Sequence, residues 1–137
     1  MVEDVATGLE AILTARRLQR EERKERERRY QERARRHALA RQRAEREEKR
    51  EAFLDQLMKL RREVDELEAW LARPRPTSEP AGSHGRLIAW ATARLETLRQ
   101  RLEPDQITAA LDAEKLFPEP DELHDPLGEP DEPQGWY

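Results

Sequence analysis

Glu51–Ala72 reads EAFLDQLMKLRREVDELEAWLA. Its apolar residues Phe53, Leu57, Leu60, Val64, Leu67 and Leu71 follow one another at spacings of 4, 3, 4, 3 and 4. That is a heptad seam, the mark of a helix that must pack against another helix. A second stripe answers it downstream. Ile88, Ala91, Leu95, Leu98 and Leu102 repeat at 3, 4, 3 and 4, with Leu87 and Trp90 beside them, and predict a helix over about 86–102. Between the two lies RPRPTSEPAGSHG, residues 73–85, whose three prolines and two glycines stop a helix and make a loop. Two amphipathic helices joined this way predict an antiparallel helical hairpin over 51–103.

Upstream, residues 1–50 read as an N-terminal cap followed by a charged single helix. Thr7-Gly8-Leu9-Glu10 has the spacing of a capping box. From Leu9 to Arg73 there is neither Gly nor Pro, and the strong helix formers Arg, Glu, Ala and Gln dominate. Glu22–Arg26, Glu25–Arg29, Glu32–Arg36 and Glu45–Lys49 stand in the favourable (i, i+4) order. Carrying the seam register upstream places Arg50, Arg46, Arg43, Arg36 and Arg29 at core positions, with only Leu39 apolar. The apolar seam therefore stops at residue 51, and the basic half is expected to project as a solvated helix.

Downstream, Glu103-Pro104 ends the second helix and a short third one is expected within 105–117. From Pro118 proline and acids take over, so 104–137 reads as a short helix followed by a disordered acidic tail. The fold class is all-α: a long charged helix leading into a coiled-coil-like hairpin, then that tail.

The layout resembles a loose group of bacterial proteins without assigned activity. The resemblance rests on Glu66-Leu67-Glu68-Ala69-Trp70-Leu71, then Leu87-Ile88-Ala89-Trp90-Ala91, Arg94-Leu95 and Arg101-Leu102-Glu103-Pro104. In that group a long Arg/Glu/Ala-rich helix leads into a hairpin whose last helix carries a Trp-Ala pair and ends in Leu-acid-Pro. It covers roughly residues 15–104 and implies a helical accessory region with no known activity. The Pro-rich loop and the acidic tail depart from it.

Of 137 residues 41% are charged and 5% aromatic, and the mean hydropathy is −1.10. A chain this polar fills no core along its whole length. Its formal net charge of −4 conceals a division: residues 16–50 carry sixteen bases against eight acids, and residues 104–137 one base against ten acids. There is no Cys, so thiolate and disulfide chemistry is absent. No apolar run reaches the ~20 residues of a membrane span. The N-terminus, with its acids first, lacks the form of a signal peptide. Cytoplasmic location and no membrane partner are the expectation.

Chemistry has few agents. His37, His84 and His124 share no helix face at (i, i+4), and Glu122-Leu123-His124-Asp125 offers at most a weak divalent-ion site. No phosphate-binding Gly-rich loop and no Ser-based nucleophile motif occurs. The expectation is no enzyme, no cofactor and no small-molecule substrate. Phe53, Met58, Trp70 and Trp90 read as hairpin or oligomer core, or as anchors for a partner protein. Arg28, Arg29, Arg33, Arg35, Arg36, Arg41 and Arg43, with one acid among them, are candidate phosphate contacts, and the solvated spacer helix is the simpler alternative. Trp136-Tyr137 ends the acidic tail as a candidate docking motif. Two readings follow: a helical interaction or scaffold protein pairing with itself or another protein through 51–103, or a nucleic-acid accessory protein whose basic helix 16–50 is modulated by the tail folding back on it.

Overall fold

The computed structural model describes residues 2–75 and 82–131, with side chains from Val5 onward. It holds three helices: α1 (Val2–Leu71), α2 (Ser83–Arg101) and α3 (Pro104–Ala113). No strand occurs among the described residues, and none of these helices is long and apolar enough to cross a membrane. The all-α class and the helix-then-hairpin order are those the seams predict.

Three boundaries differ from the sequence reading. α1 begins at Val2 and passes through Thr7 and Gly8, so Thr7 stands inside the helix and not at its N-cap. Gly8 has open space around it, and its cost of roughly 1 kcal/mol in a helix interior is too small to stop a helix of strong formers. α2 begins at Ser83, which draws His84 and Gly85 out of the loop and into the first turn. Its cap, Gly82, has φ 109° and ψ −140°, a conformation side chains resist. α3 begins at Pro104, where a missing N–H costs nothing in a first helical turn, and ends earlier than expected, at Ala113.

The end of α3 is a Schellman motif. Leu116 N–H donates to Leu111 O at 3.1 Å and Lys115 N–H to Asp112 O at 3.2 Å, with Lys115 at φ 53°. The turn sends Leu116 into the interior, where it is 1% exposed. The chain then continues without helix or strand to Asp131. Trp136 and Tyr137 lie outside the described residues.

The molecule divides into two compact units. One is Ala44–Glu122, containing the hairpin, α3 and the first part of the tail. The other is Met1–Arg43 with Leu123–Tyr137.

Candidate interaction surfaces

In the Ala44–Glu122 unit the core is the pairing of the two seams. Val64, Leu95 and Leu98 are buried together, with Leu60, Leu67, Leu71 and Leu102 packed against them. Ala91 is also buried, while Phe53, Leu57 and Ile88 are half-buried. Polar clamps flank the apolar layer. Arg99 donates through Nε and Nη2 to Glu68 at 3.0 and 2.8 Å, and Arg94 lies 4.0 Å from Glu63. Both are exposed pairs of the kind that contributes little beyond orientation.

Not all of the large side chains join this core. Trp90 is 62% exposed and Met58 52%. Trp70, at 37%, lies at the margin, and the Arg94 guanidinium sits 5.9 Å from the Trp90 ring. Met58 and Trp90 therefore lie outside the hairpin core, which leaves the oligomer-core and partner-anchor readings for them. They stand beside the 3/4 spacing rather than on it, so their side chains leave the helices tangentially. Phe53 does face inward. With Leu57, Leu60, Leu98, Ile107 and Ala110 it floors an open groove of about 570 Å³ between α1, α2 and α3, edged by Lys59, Arg94 and Arg101.

The seam register also continues past the apolar half, contrary to the expectation of a solvated arm. In this unit Arg46 and Arg50 occupy its next two positions and are half-buried. Arg46 grips the Asp121 carboxylate with Nη1 and Nη2 at 2.8 and 3.0 Å, and that carboxylate holds the Arg46 pKa above its ordinary value. Arg50 donates through Nε to Leu116 O at 2.7 Å and stacks 4.1 Å from the Phe117 ring centre. Arginine satisfies a core register here because its stem packs like an aliphatic chain while Arg46 Nη1 and Nη2 and Arg50 Nε find acceptors; Arg46 Nε is buried with none among the described residues.

The Met1–Arg43 and Leu123–Tyr137 unit repeats this device. Arg36, Leu39 and Arg43, three of the register positions of its helix, are half-buried, whereas Arg29 at the same register is exposed. Arg36 Nε donates to Asp125 Oδ2 at 2.7 Å and its Nη2 to Gly128 O at 3.3 Å. Arg43 Nη1 donates to Leu123 O at 2.6 Å and its Nε to Glu129 Oε1 at 3.1 Å. The held segment turns at Asp125-Pro126-Leu127-Gly128. Leu127 N–H donates to Asp125 Oδ1 at 2.9 Å, Gly128 N–H donates to Asp125 O at 3.1 Å, and Gly128 has φ 83°. Asp, Pro and Gly at these places are the residues such a turn favours. The Arg36 guanidinium first, then the Leu127 N–H, and then the charge of Arg43 hold the Asp125 carboxyl below its usual value. The tail thus adds no regular secondary structure, but residues 123–129 have fixed partners.

The seven candidate phosphate-binding arginines fall into three sets. Arg36 and Arg43 are taken by the tail. Arg28 and Arg29 pair with Glu25, at 2.8 and 3.4 Å, and the Arg28 hydrogen bond above all holds the Glu25 pKa below its ordinary value. Arg33, Arg35 and Arg41 are exposed, without an ion pair among the described residues. The expected Glu32–Arg36 pair gives way to Arg36–Asp125. Among the described residues no group of three His, Asp or Glu is placed to hold a metal ion. Val5, Leu9, Ile12 and Leu13 form an exposed apolar stripe near the start of α1.

No protein-family model, curated protein or solved structure matches this chain.

Proposed function

We propose that this chain is a non-enzymatic interaction protein, with the hairpin as its pairing module. The observation that carries this reading is the incomplete cover of the α1 seam. α2 closes the layer around Val64, Leu95 and Leu98, yet Phe53 and Leu57 still face an open apolar groove. A groove lined by aromatic and aliphatic side chains, with Lys59, Arg94 and Arg101 against the single acid Glu63 around it, suits a helix with an apolar stripe and acids beside it. A second copy of the hairpin, or a partner helix of that kind, supplies it.

Leu57→Asp is the test. The residue lines the groove and lies outside the central cluster, so hairpin helicity should persist while association is lost. Sedimentation over a concentration series reads mass, and circular dichroism reads helicity. A wild-type chain that stays monomeric at every concentration removes the self-pairing form of the proposal. Association unchanged by Leu57→Asp removes the groove.

A second reading, contact with nucleic acid, is favoured by the exposed Arg33, Arg35 and Arg41. Binding of labelled duplex DNA or single-stranded RNA should then fall steeply with salt. Loss of binding in the triple Gln variant of these arginines would support it, and no binding at low salt would dismiss it.

A further inference from the structure

We propose that Arg36 and Arg43 form a receptor for an acidic, turn-forming peptide, that residues 123–129 occupy it in cis, and that a segment of the same chemistry on a partner protein binds by displacing them. This does not depend on the hairpin groove.

The contacts specify a peptide. Each arginine takes one carboxylate and one backbone carbonyl: Arg36 takes Asp125 and Gly128 O, and Arg43 takes Glu129 and Leu123 O. Carbonyl acceptors at fixed offsets from carboxylates are a property of polypeptide. A phosphodiester backbone has no counterpart to them. The spacing of the four acceptors is set by the Asp-Pro-Leu-Gly turn, so the ligand is an acidic segment of the form Leu-x-Asp-Pro-x-Gly-Glu.

The occupancy is also of an exchangeable kind. The receptor side is largely covered, with the Arg36 and Arg43 side chains 24% and 16% exposed. The ligand side is covered unevenly: the Asp125 side chain is 6% exposed and Leu123 is half-buried, whereas the Glu129 side chain is 74% exposed and Leu127 72%. Apart from the half-buried Leu123, the segment keeps its apolar surface in water, so its hold rests mainly on hydrogen bonds from the two guanidinium groups, which a competitor can replace one for one. The cis segment also leaves capacity unused. Arg43 Nη2 is buried and lies 3.1 Å from Glu129 Oε1, yet among the described residues no acceptor is aligned to take its hydrogen bond. A free peptide, without the constraint of the chain leading into it, is able to use that donor.

The experiment uses the full chain and a fluorescein-labelled synthetic peptide, PDELHDPLGEPD, the sequence of residues 120–131. Asp125→Asn with Glu129→Gln loosens the cis segment and leaves the receptor intact. Anisotropy should show this loosened chain binding the peptide at least tenfold more tightly than wild type does. Adding Arg36→Gln and Arg43→Gln should remove that gain, as should Asn and Gln at the peptide positions that correspond to Asp125 and Glu129. Circular dichroism should show equal helicity throughout. A measurement on the unaltered chain stands beside these variants: excess unlabelled peptide should shift the amide resonances of residues 123–129 toward those of a free segment. Equal peptide binding by all chains would reduce the effect to general charge attraction and overturn the proposal. So would no binding to the loosened chain at low salt, or single-stranded DNA of equal charge displacing the peptide more effectively than the unlabelled peptide does.

Discussion

Leu98→Ala tests the seam core directly. Leu98 is 3% exposed and contacts the layer formed with Val64 and Leu95. The truncation removes the equivalent of three carbon groups from an environment without water, about 2.4 kcal/mol at ~0.8 kcal/mol per group. A cavity contribution adds to this, and buried Leu→Ala changes span about 2–5 kcal/mol. Leu98 also borders the open groove, so solvent and neighbouring side chains can enter the space. The expected cost is therefore near the lower end, about 2.5–3 kcal/mol. Trp90→Ala is the control, because Trp90 is larger but 62% exposed. Its cost should stay below about 1 kcal/mol, since surface changes are usually small. Urea unfolding followed at 222 nm measures both, with the m-value showing that the same surface is exposed. A Leu98→Ala cost under 1 kcal/mol, or a Trp90→Ala cost above it, would refute the assignment of the 3/4 stripe as the packed face.

Three further outcomes follow from local geometry. Lys115→Gly should stabilise the Ala44–Glu122 unit by about 1 kcal/mol in the same urea assay, because Lys115 sits at φ 53° in the Schellman turn where glycine carries no Cβ penalty. Gly82→Ala should destabilise it by about 1–3 kcal/mol: the space around Gly82 is open, so the penalty is backbone strain alone. The third concerns pH. The folded-state pKa of Asp125 is depressed, mainly by Arg36, so its contribution to holding the tail is complete above the unfolded carboxylate value. It is lost as pH falls through the lower folded value, below about pH 4. Amide resonances of residues 123–129 should report release in that acid range, and Asp125→Asn should show the released state already at neutral pH.

The hairpin was legible because period 3/4 apolar spacing is a local property. Val64, Ala91, Leu95 and Leu98 all sit on the stripes read from the chain, and all are buried. Trp90 stays outside the hairpin core despite its size, because it stands one residue off the stripe that faces α1. The tail was harder to read. Its composition cannot support a core of its own, which is what a single segment reveals. Its partners are arginines 66 to 92 residues away in the chain, and such a match belongs to neither segment separately. Two signals were nonetheless present: the arginines that kept the heptad register beyond Phe53, and the Asp-Pro-Leu-Gly turn opposite them in charge.

The change from Phe53 to Arg50 and Arg46 within one register has a mechanical consequence. A purely aliphatic stripe lets an opposing helix slip by a heptad at small cost, because leucine meets leucine again. Here a slip toward the arginines would lay an apolar side chain over a guanidinium whose fork is already committed to Leu116 O or Asp121, stranding the charge. The arginine pair thus acts as an end-stop, and it fixes the alignment of whatever lies along the leucine half to a single notch.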